Sequence, residues 1–179
     1  FIGGVILYDE TIKQKSLTNK KIPELISQLF NKEKGDELVE SVLDLGCGTG
    51  LVGEKIRNSC KWLEGIDLSQ NMVELAARKQ VYDKVVKADI AEYLASTELD
   101  FDCFIAADVF VYLGDLAEVF CQIKSKNKRG GMLFFSTEHN EKEGFFLETS
   151  GRFSHSKSYV ESLCVEFGYT ISSFSKTKF

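Results

Sequence analysis

A chain of 179 residues is the size of a single domain with a full core. Its 27% charged and 44% hydrophobic residues are ordinary for a soluble globular protein. A net charge of −5 and a pI near 5.2 argue against a non-specific nucleic-acid binder, and no apolar run approaches membrane-spanning length. Five cysteines stand singly with no Cys-x-x-Cys pair, which points away from a disulfide frame or a zinc site. Phe1 to Tyr8 carry neither the basic leader nor the cleavage site of a signal peptide. The expectation is a cytoplasmic protein with reduced thiols and no metal.

Phe1 to Tyr8 reads as a short strand buried on both faces, and Asp9 to Lys21 as a polar, irregular or partly helical segment. Pro23 suits the first turn of a helix whose apolar face is Leu25, Ile26, Leu29 and Phe30, ended by Gly35. Val42 to Leu45 is a strand that runs into Gly46-Cys47-Gly48-Thr49-Gly50, followed by a helix from about Thr49 to Asn58. Trp62 to Asp67 is a strand, and Ser69 can cap the next helix, which turns Met72, Val73, Ala76 and Ala77 inward. Lys84 to Asp89 is a strand and Ile90 to Leu94 a short helix. Phe101 to Asp108 is a strand, and Asp115 can cap the helix carrying Leu116, Val119, Phe120 and Ile123. Arg129-Gly130-Gly131 reads as a turn before a strand from Met132 to Glu138. Phe145 to Glu148 and Arg152-Phe153 suggest a hairpin across Thr149-Ser150-Gly151. Ser158-x-x-Glu161 is a capping box for a helix through Phe167, and Tyr169 to Phe174 is a strand. Cys103, Cys121 and Cys164 fall on apolar faces and are expected in the core.

This alternation implies an α/β fold: a Rossmann-like, mostly parallel sheet with helices on both faces. Ligands then bind beyond the carboxyl ends of the strands. Those ends carry Asp44, Asp67, Asp89, Asp108 and Glu138, although helix capping explains some of them.

The glycine turn admits two readings. Gly48-x-Gly50-x-x-Gly53 with Asp67 matches a dinucleotide fingerprint and an NAD(P)-dependent oxidoreductase. Asp44-x-Gly46-x-Gly48-x-Gly50 instead sets an acid before the glycines, where it can receive a cationic amino-acid head group. NAD has no such group, whereas S-adenosylmethionine (SAM) does. With LDLGCGTG at 43–50, GIDLS at 65–69, KADI at 87–90, FDCFIAADVFVYLGDL at 101–116 and GGMLFFSTE at 130–138, the chain resembles a class I SAM-dependent methyltransferase. GLVGEKIR, DLSQNMVELAARKQVYDKV and GRFSHSKSYVESL are further similar to a bacterial group of predicted methyltransferases often fused to tetratricopeptide repeats. The chain has no such repeats, which makes it a short member or an excised domain.

The resemblance implies the seven-strand methyltransferase sheet, in order 3-2-1-4-5-7-6, within a single domain over residues 1–179. Residues 1–21 would be an N-terminal strand and irregular segment, 22–139 the SAM-binding core, and 140–179 the substrate side. Gly46, Cys47, Gly48 and Gly50 would line the methionine and ribose portion, with Asp67 accepting both ribose hydroxyls. Leu68 and Met72 would flank the adenine, Asp89 and the Ile90 N–H would meet its edge, and Ala106 and Ala107 would leave room for the methionine tail. Cys47 would be a small packing residue. S-adenosylhomocysteine would be the product.

For the acceptor, His155 is the candidate base, Arg152 the candidate anion holder, and Asp108 and Tyr112 would flank the transfer zone. A backbone-bonded His155 at a helix entry is the plainer alternative, and His139 is expected on the surface. Phe110, Phe145, Phe146 and Phe153 could wall the pocket. The Phe101–Asp108 strand ends Ala-Ala-Asp-Val, not Asn/Asp-Pro-Pro-Tyr, which favours a small-molecule O or N acceptor over nucleic acid. A protein side chain stays open, as does a catalytically silent SAM-binding protein. No membrane partner is expected.

The inferred fold ends in an antiparallel seventh strand between the fifth and sixth, and the chain stops after the sixth. The apolar run Phe1 to Leu7 could fill that place, by circular permutation or by exchange between molecules.

Overall fold

The computed structural model describes the backbone of residues 2–9 and 15–178 and the side chains of 21–176. Its sheet is built from β1 (Ile2–Asp9), β2 (Val39–Leu45), β3 (Cys60–Asp67), β4 (Lys84–Lys87), β5 (Phe101–Ala106), β6 (Asn127–Asn140) and β9 (Thr170–Lys178). The order is β4-β3-β2-β5-β6-β1-β9 and every neighbour pair along it is parallel. The helices are α1 (Lys15–Lys34), α2 (Leu51–Ile56), α3 (Gln70–Arg78), α4 (Ile90–Ser96), α5 (Ala117–Lys126) and α6 (Lys157–Glu166). A small antiparallel hairpin, β7 (Phe145–Leu147) with β8 (Phe153–Ser156), completes the set.

Alternate strand residues feed two cores, as a sheet covered on both faces requires. Val42, Cys103, Ile105 and Phe134 pack with Ile22, Ile26 and Phe30 of α1 and with Val52 and Ile56 of α2. Their neighbours Leu43, Phe104, Leu133 and Phe135 pack with Leu94, Phe120, Ile123 and Leu163 of α4, α5 and α6. Phe120 lies at the centre of an aromatic group with Phe110, Phe135, Phe167 and Tyr169, at ring separations from 5.5 to 6.1 Å.

Counted from β2, this is the order 3-2-1-4-5-7-6, and β1 occupies the seventh place. The strand comes from the same chain: Ile2 pairs with Met132 on one side and Thr170 on the other. Its direction corrects the expectation, because β1 is parallel where the usual seventh strand is antiparallel. The connection is the reason. A crossover helix, here α1, joins β1 to β2, a strand of like direction elsewhere in the same sheet, whereas an antiparallel strand follows a tight reversal.

Other expectations are corrected locally. Pro23 lies inside α1, not in its first turn, and Ser27 Oγ donates to the Pro23 carbonyl at 2.5 Å. Gly130 and Gly131 do not form a turn; β6 runs through them, and a Cβ at Gly131 would collide with the Asn127 side chain. Ser69 makes no side-chain cap bond. The cap of α6 is Ser156, which accepts from the Tyr159 N–H at 3.1 Å, two residues before the expected Ser158. Asp115 accepts from the Ala117 N–H at 2.9 Å. Cys121 is exposed, while Cys103 and Cys164 are buried. The His139 side chain is largely buried beside Glu141.

Candidate functional site

The parallel strands end on one side, and the loops after β2, β3, β4 and β5 enclose a cavity of about 550 Å³. Asp44, Gly46, Cys47, Gly48, Asp67, Leu68, Met72, Asp89, Ile90, Ala107 and Asp108 line it. Among the described residues, no Lys, Arg or His lines it.

The turn after β2 approaches the loop after β5 closely. Gly46 has φ +64°, and a Cβ there would come 2.6 Å from Val109 Cγ2, so both conformation and space call for glycine. The Gly48 N–H donates to Asp67 Oδ2 and the Ser69 N–H to Asp67 Oδ1, both at 2.9 Å. These bonds brace the turn against β3. Each carboxylate oxygen keeps a further lone pair for a ligand.

Asp44 is buried at the other end of the turn, where Tyr82 donates to its Oδ2 at 2.7 Å. Burial pushes its carboxyl up to about 7, against the lowering effect of the Tyr82 bond. Burial also raises the Cys47 thiol well above its usual range, which suits packing and not nucleophilic attack. Asp89 caps α4, with Oδ1 accepting from Ala91 N–H at 2.8 Å and Glu92 N–H at 3.2 Å. Leu68, 68% exposed, stands at the mouth. Two expected residues are off the wall: Ala106 is fully buried, and Gly50 faces the Tyr82 ring.

The acceptor candidates are arranged differently from the expectation. β8 pairs with Glu138–Asn140 of β6, beyond the point where β5 ends. That brings Arg152 to Asp108, with which it forms an ion pair, and its Nε to Glu138 Oε1 at 2.6 Å. The guanidinium also lies over the Tyr112 ring, 5.5 Å from its centroid. Arg152 therefore serves the protein's own carboxylates and is not on the cavity wall. His155 is fully buried, with Nε2 2.8 Å from the Gly114 carbonyl and Nδ1 2.5 Å from Thr137 Oγ1. Both ring nitrogens are taken, and burial lowers its pKa, so it is a neutral structural residue away from the cavity. This corrects the reading of His155 as a cavity-facing base. Phe110 is core; Phe145 and Phe153 pack on Gly114, and neither they nor Phe146 reach the wall. Asp108 and Tyr112 do line it, Asp108 with a left-handed φ of +60° and its N–H donating to Ser136 Oγ at 2.8 Å.

Sequence reasoning missed Tyr82 as the partner of Asp44, and Pro23 and Leu51 as wall residues. The glycines at 50, 53 and 65, which make room for the Tyr82 ring, are the trace it leaves in the sequence.

Residues 43–135 match the family described as "Methyltransferase domain". The chain is 32% identical over 151 residues to a malonyl-[acyl-carrier protein] O-methyltransferase of Priestia megaterium, covering 80% of this chain and 50% of that protein. It is 28% identical over 116 residues to a probable 18S rRNA (guanine-N(7))-methyltransferase of Dictyostelium discoideum, covering 60% of this chain and 40% of that protein. The chain thus spans about half the length, or less, of these relatives. In fold it is similar to magnesium protoporphyrin IX methyltransferase from Synechocystis with bound S-adenosylhomocysteine, with TM-score 0.67, 16% identity, and coverage of 85% of this chain and 74% of that one. With its strand order, its acid-tipped strands and the family match over more than half its length, the chain belongs to the methyltransferase domain family.

Proposed function

We propose that the chain binds S-adenosylmethionine and transfers its methyl group to a small-molecule oxygen or nitrogen acceptor. The observation that carries this reading is one cavity with a buried carboxyl at Asp44, a half-buried carboxylate at Asp67 and apolar walls at Leu68, Met72 and Ile90. That donor set fits an adenosyl sulfonium amino acid. Asp44 would receive the α-ammonium, Asp67 the ribose diol and Asp89 with the Ile90 N–H the adenine edge, while Leu68 and Met72 exclude water from the ring. Gly46, Cys47 and Gly48 would follow the methionine and ribose portion, and Ala107 would leave room for the methionine tail.

When bound, the cofactor supplies an electrophilic methyl on sulfur. This chain's residues then hold the acceptor in line and keep water out, and positioning of that kind can supply most of the rate. Asp108 and Tyr112 are the acceptor-facing side chains in this reading. Arg152 acts through them, by neutralising Asp108 and stacking on Tyr112. The wall, acidic and without a cation among the described residues, favours a neutral or cationic acceptor over an anionic one. The relatives' names range from a malonyl carrier to ribosomal RNA, so the acceptor is argued here from the wall and the acidic pI. We further propose that the chain is one methyltransferase domain of the group often joined to tetratricopeptide repeats, with residues 140–179 on the acceptor side.

Titration of the protein with S-adenosylmethionine, S-adenosylhomocysteine and NAD, read as a shift in melting temperature, tests the cofactor. Stabilisation by the first two and not by NAD is expected; stabilisation by NAD alone would overturn the reading. A screen of neutral and cationic acceptors for S-adenosylhomocysteine release tests the transfer. Turnover confined to carboxylate acceptors would sink the acceptor class.

A further inference from the structure

Tyr82 stands just ahead of β4, far in sequence from the glycine turn, yet it controls the carboxyl under it. Its hydroxyl donates to Asp44 Oδ2 at 2.7 Å, and the hydroxyl end of its ring packs against Gly53. Gly53 is the third residue of α2, so its N–H belongs to the first helical turn and has no helical acceptor. The N-cap residue is Gly50, which has no side chain to offer.

The ring lies in a trough of three glycines. A Cβ at Gly53 would come 2.5 Å from the Tyr82 hydroxyl and 2.8 Å from Cε2; at Gly50 and Gly65 it would come 3.0 Å from Cε2 and Cε1. Gly50 and Gly53, two members of the dinucleotide-like pattern, are therefore explained by an aromatic side chain of the protein itself. A pyrophosphate is not needed to account for them.

We propose that Tyr82 is a positioning residue for the cofactor: packed against the first turn of α2 and holding Oδ2 of Asp44, it presents the other carboxylate oxygen to the α-ammonium of the bound amino-acid moiety. The inference rests on the cofactor reading above. Among the described residues none donates to Asp44 Oδ1. Among the described residues, the titratable groups that face Asp44 are Tyr82, Asp67 at the end of β3, Cys47 in the turn and Cys103 on β5, and none of them is a cation. Burial, with a smaller contribution from the neighbouring Asp67, pushes the carboxyl up to about 7, and a bound ammonium favours its ionised form. Affinity for a ligand with that ammonium rises with pH up to the titration and levels off above it. Removing the Tyr82 hydroxyl removes a donor that lowers the Asp44 pKa, so the rise moves to higher pH.

Calorimetric titration with S-adenosylhomocysteine and with 5′-methylthioadenosine, which lacks the amino acid, separates positioning from packing. For the unaltered chain, affinity for S-adenosylhomocysteine rises as the pH passes about 7 while that for methylthioadenosine stays level. Tyr82→Phe binds S-adenosylhomocysteine about tenfold more weakly at neutral pH, with the rise displaced upward and methylthioadenosine unaffected. Equal weakening of both ligands, or no change in either, overturns the inference and leaves the cofactor reading standing. If the unaltered chain binds neither ligand, the cofactor reading falls and takes the inference with it. If Tyr82→Phe does not fold, the unaltered chain still decides, because level pH profiles for both ligands overturn the inference.

Discussion

The two ends of the cavity use charge in opposite ways. At one end, Asp44 and Asp67 accept from Tyr82 and from backbone N–H groups and face no cation among the described residues. At the other, Asp108 and Glu138 close on Arg152, and His155 spends both ring nitrogens on Gly114 and Thr137. The carboxylates of the first end are met by neutral donors, whereas those of the second share a guanidinium. A charge left uncompensated in a buried place implies a ligand that compensates it, whereas an internally satisfied network implies a scaffold.

Asp44→Asn breaks the contrast most sharply. The amide oxygen can still accept from Tyr82, so the fold is kept, but the charge is gone. Affinity for S-adenosylhomocysteine is expected to drop more than hundredfold, about 3 kcal/mol. The ligand-free protein should meanwhile become more stable above neutral pH, by about 2 kcal/mol. The sign follows from linkage. The Asp44 pKa is raised from 3.8 in the unfolded chain to about 7 in the fold, so its ionisation costs stability progressively as pH rises through that window and fully above it. Urea denaturation at pH above 7 that finds the variant less stable would contradict this account.

At the other end the largest effect falls on stability. Arg152→Met strips Asp108 and Glu138 of their partner and should cost about 2 kcal/mol, a figure reduced from a fully buried pair because all three side chains keep some contact with water. Cofactor affinity should be unchanged within about twofold. A variant of native stability would show that the network is not structural.

His155→Ala should cost a similar amount or slightly less, about 1–2 kcal/mol, by leaving Thr137 and the Gly114 carbonyl unpaired. Turnover per folded molecule should persist; its abolition would restore His155 as the base. The folded pKa of His155 lies below the ordinary 6.5. Its contribution is therefore fully present above about 6.5 and is lost as pH falls through the window below it. His155→Ala should flatten that acid limb of the stability curve. The smallest effect is at the rim: Leu68→Ala, which removes one partly exposed wall residue, should weaken S-adenosylhomocysteine about threefold. No measurable change would move the adenine elsewhere.

The contrast also explains what could be read before the structure. Asp44 and Asp67 follow directly from local pattern, since a strand that ends in an acid beside a glycine turn leaves the side chain at the strand's carboxyl end whatever the rest of the chain does. The hairpin at 145–153 was legible from its turn residues for the same local reason. Arg152 and His155 were misread because their partners are remote. Arg152 meets Asp108 across 44 positions and His155 meets Gly114 across 41, and nothing local distinguishes a cation waiting for a substrate from one already paired. Tyr82 was missed likewise, at 38 positions from Asp44.

The amino-acid sequence by itself determined the alternation of strands and helices, the acids at the strand ends and a glycine turn in need of a ligand. These rest on periodicity and backbone freedom, which act over a few residues. Tertiary structure alone decided that β1 enters the seventh place parallel to its neighbours, that Tyr82 fills the trough of glycines beneath Asp44, and that Arg152 and His155 are consumed within the fold. Each of these depends on which distant groups meet in a low-dielectric interior. There a buried polar atom must find a partner, and the partner found decides whether a charge is structural or left for a ligand.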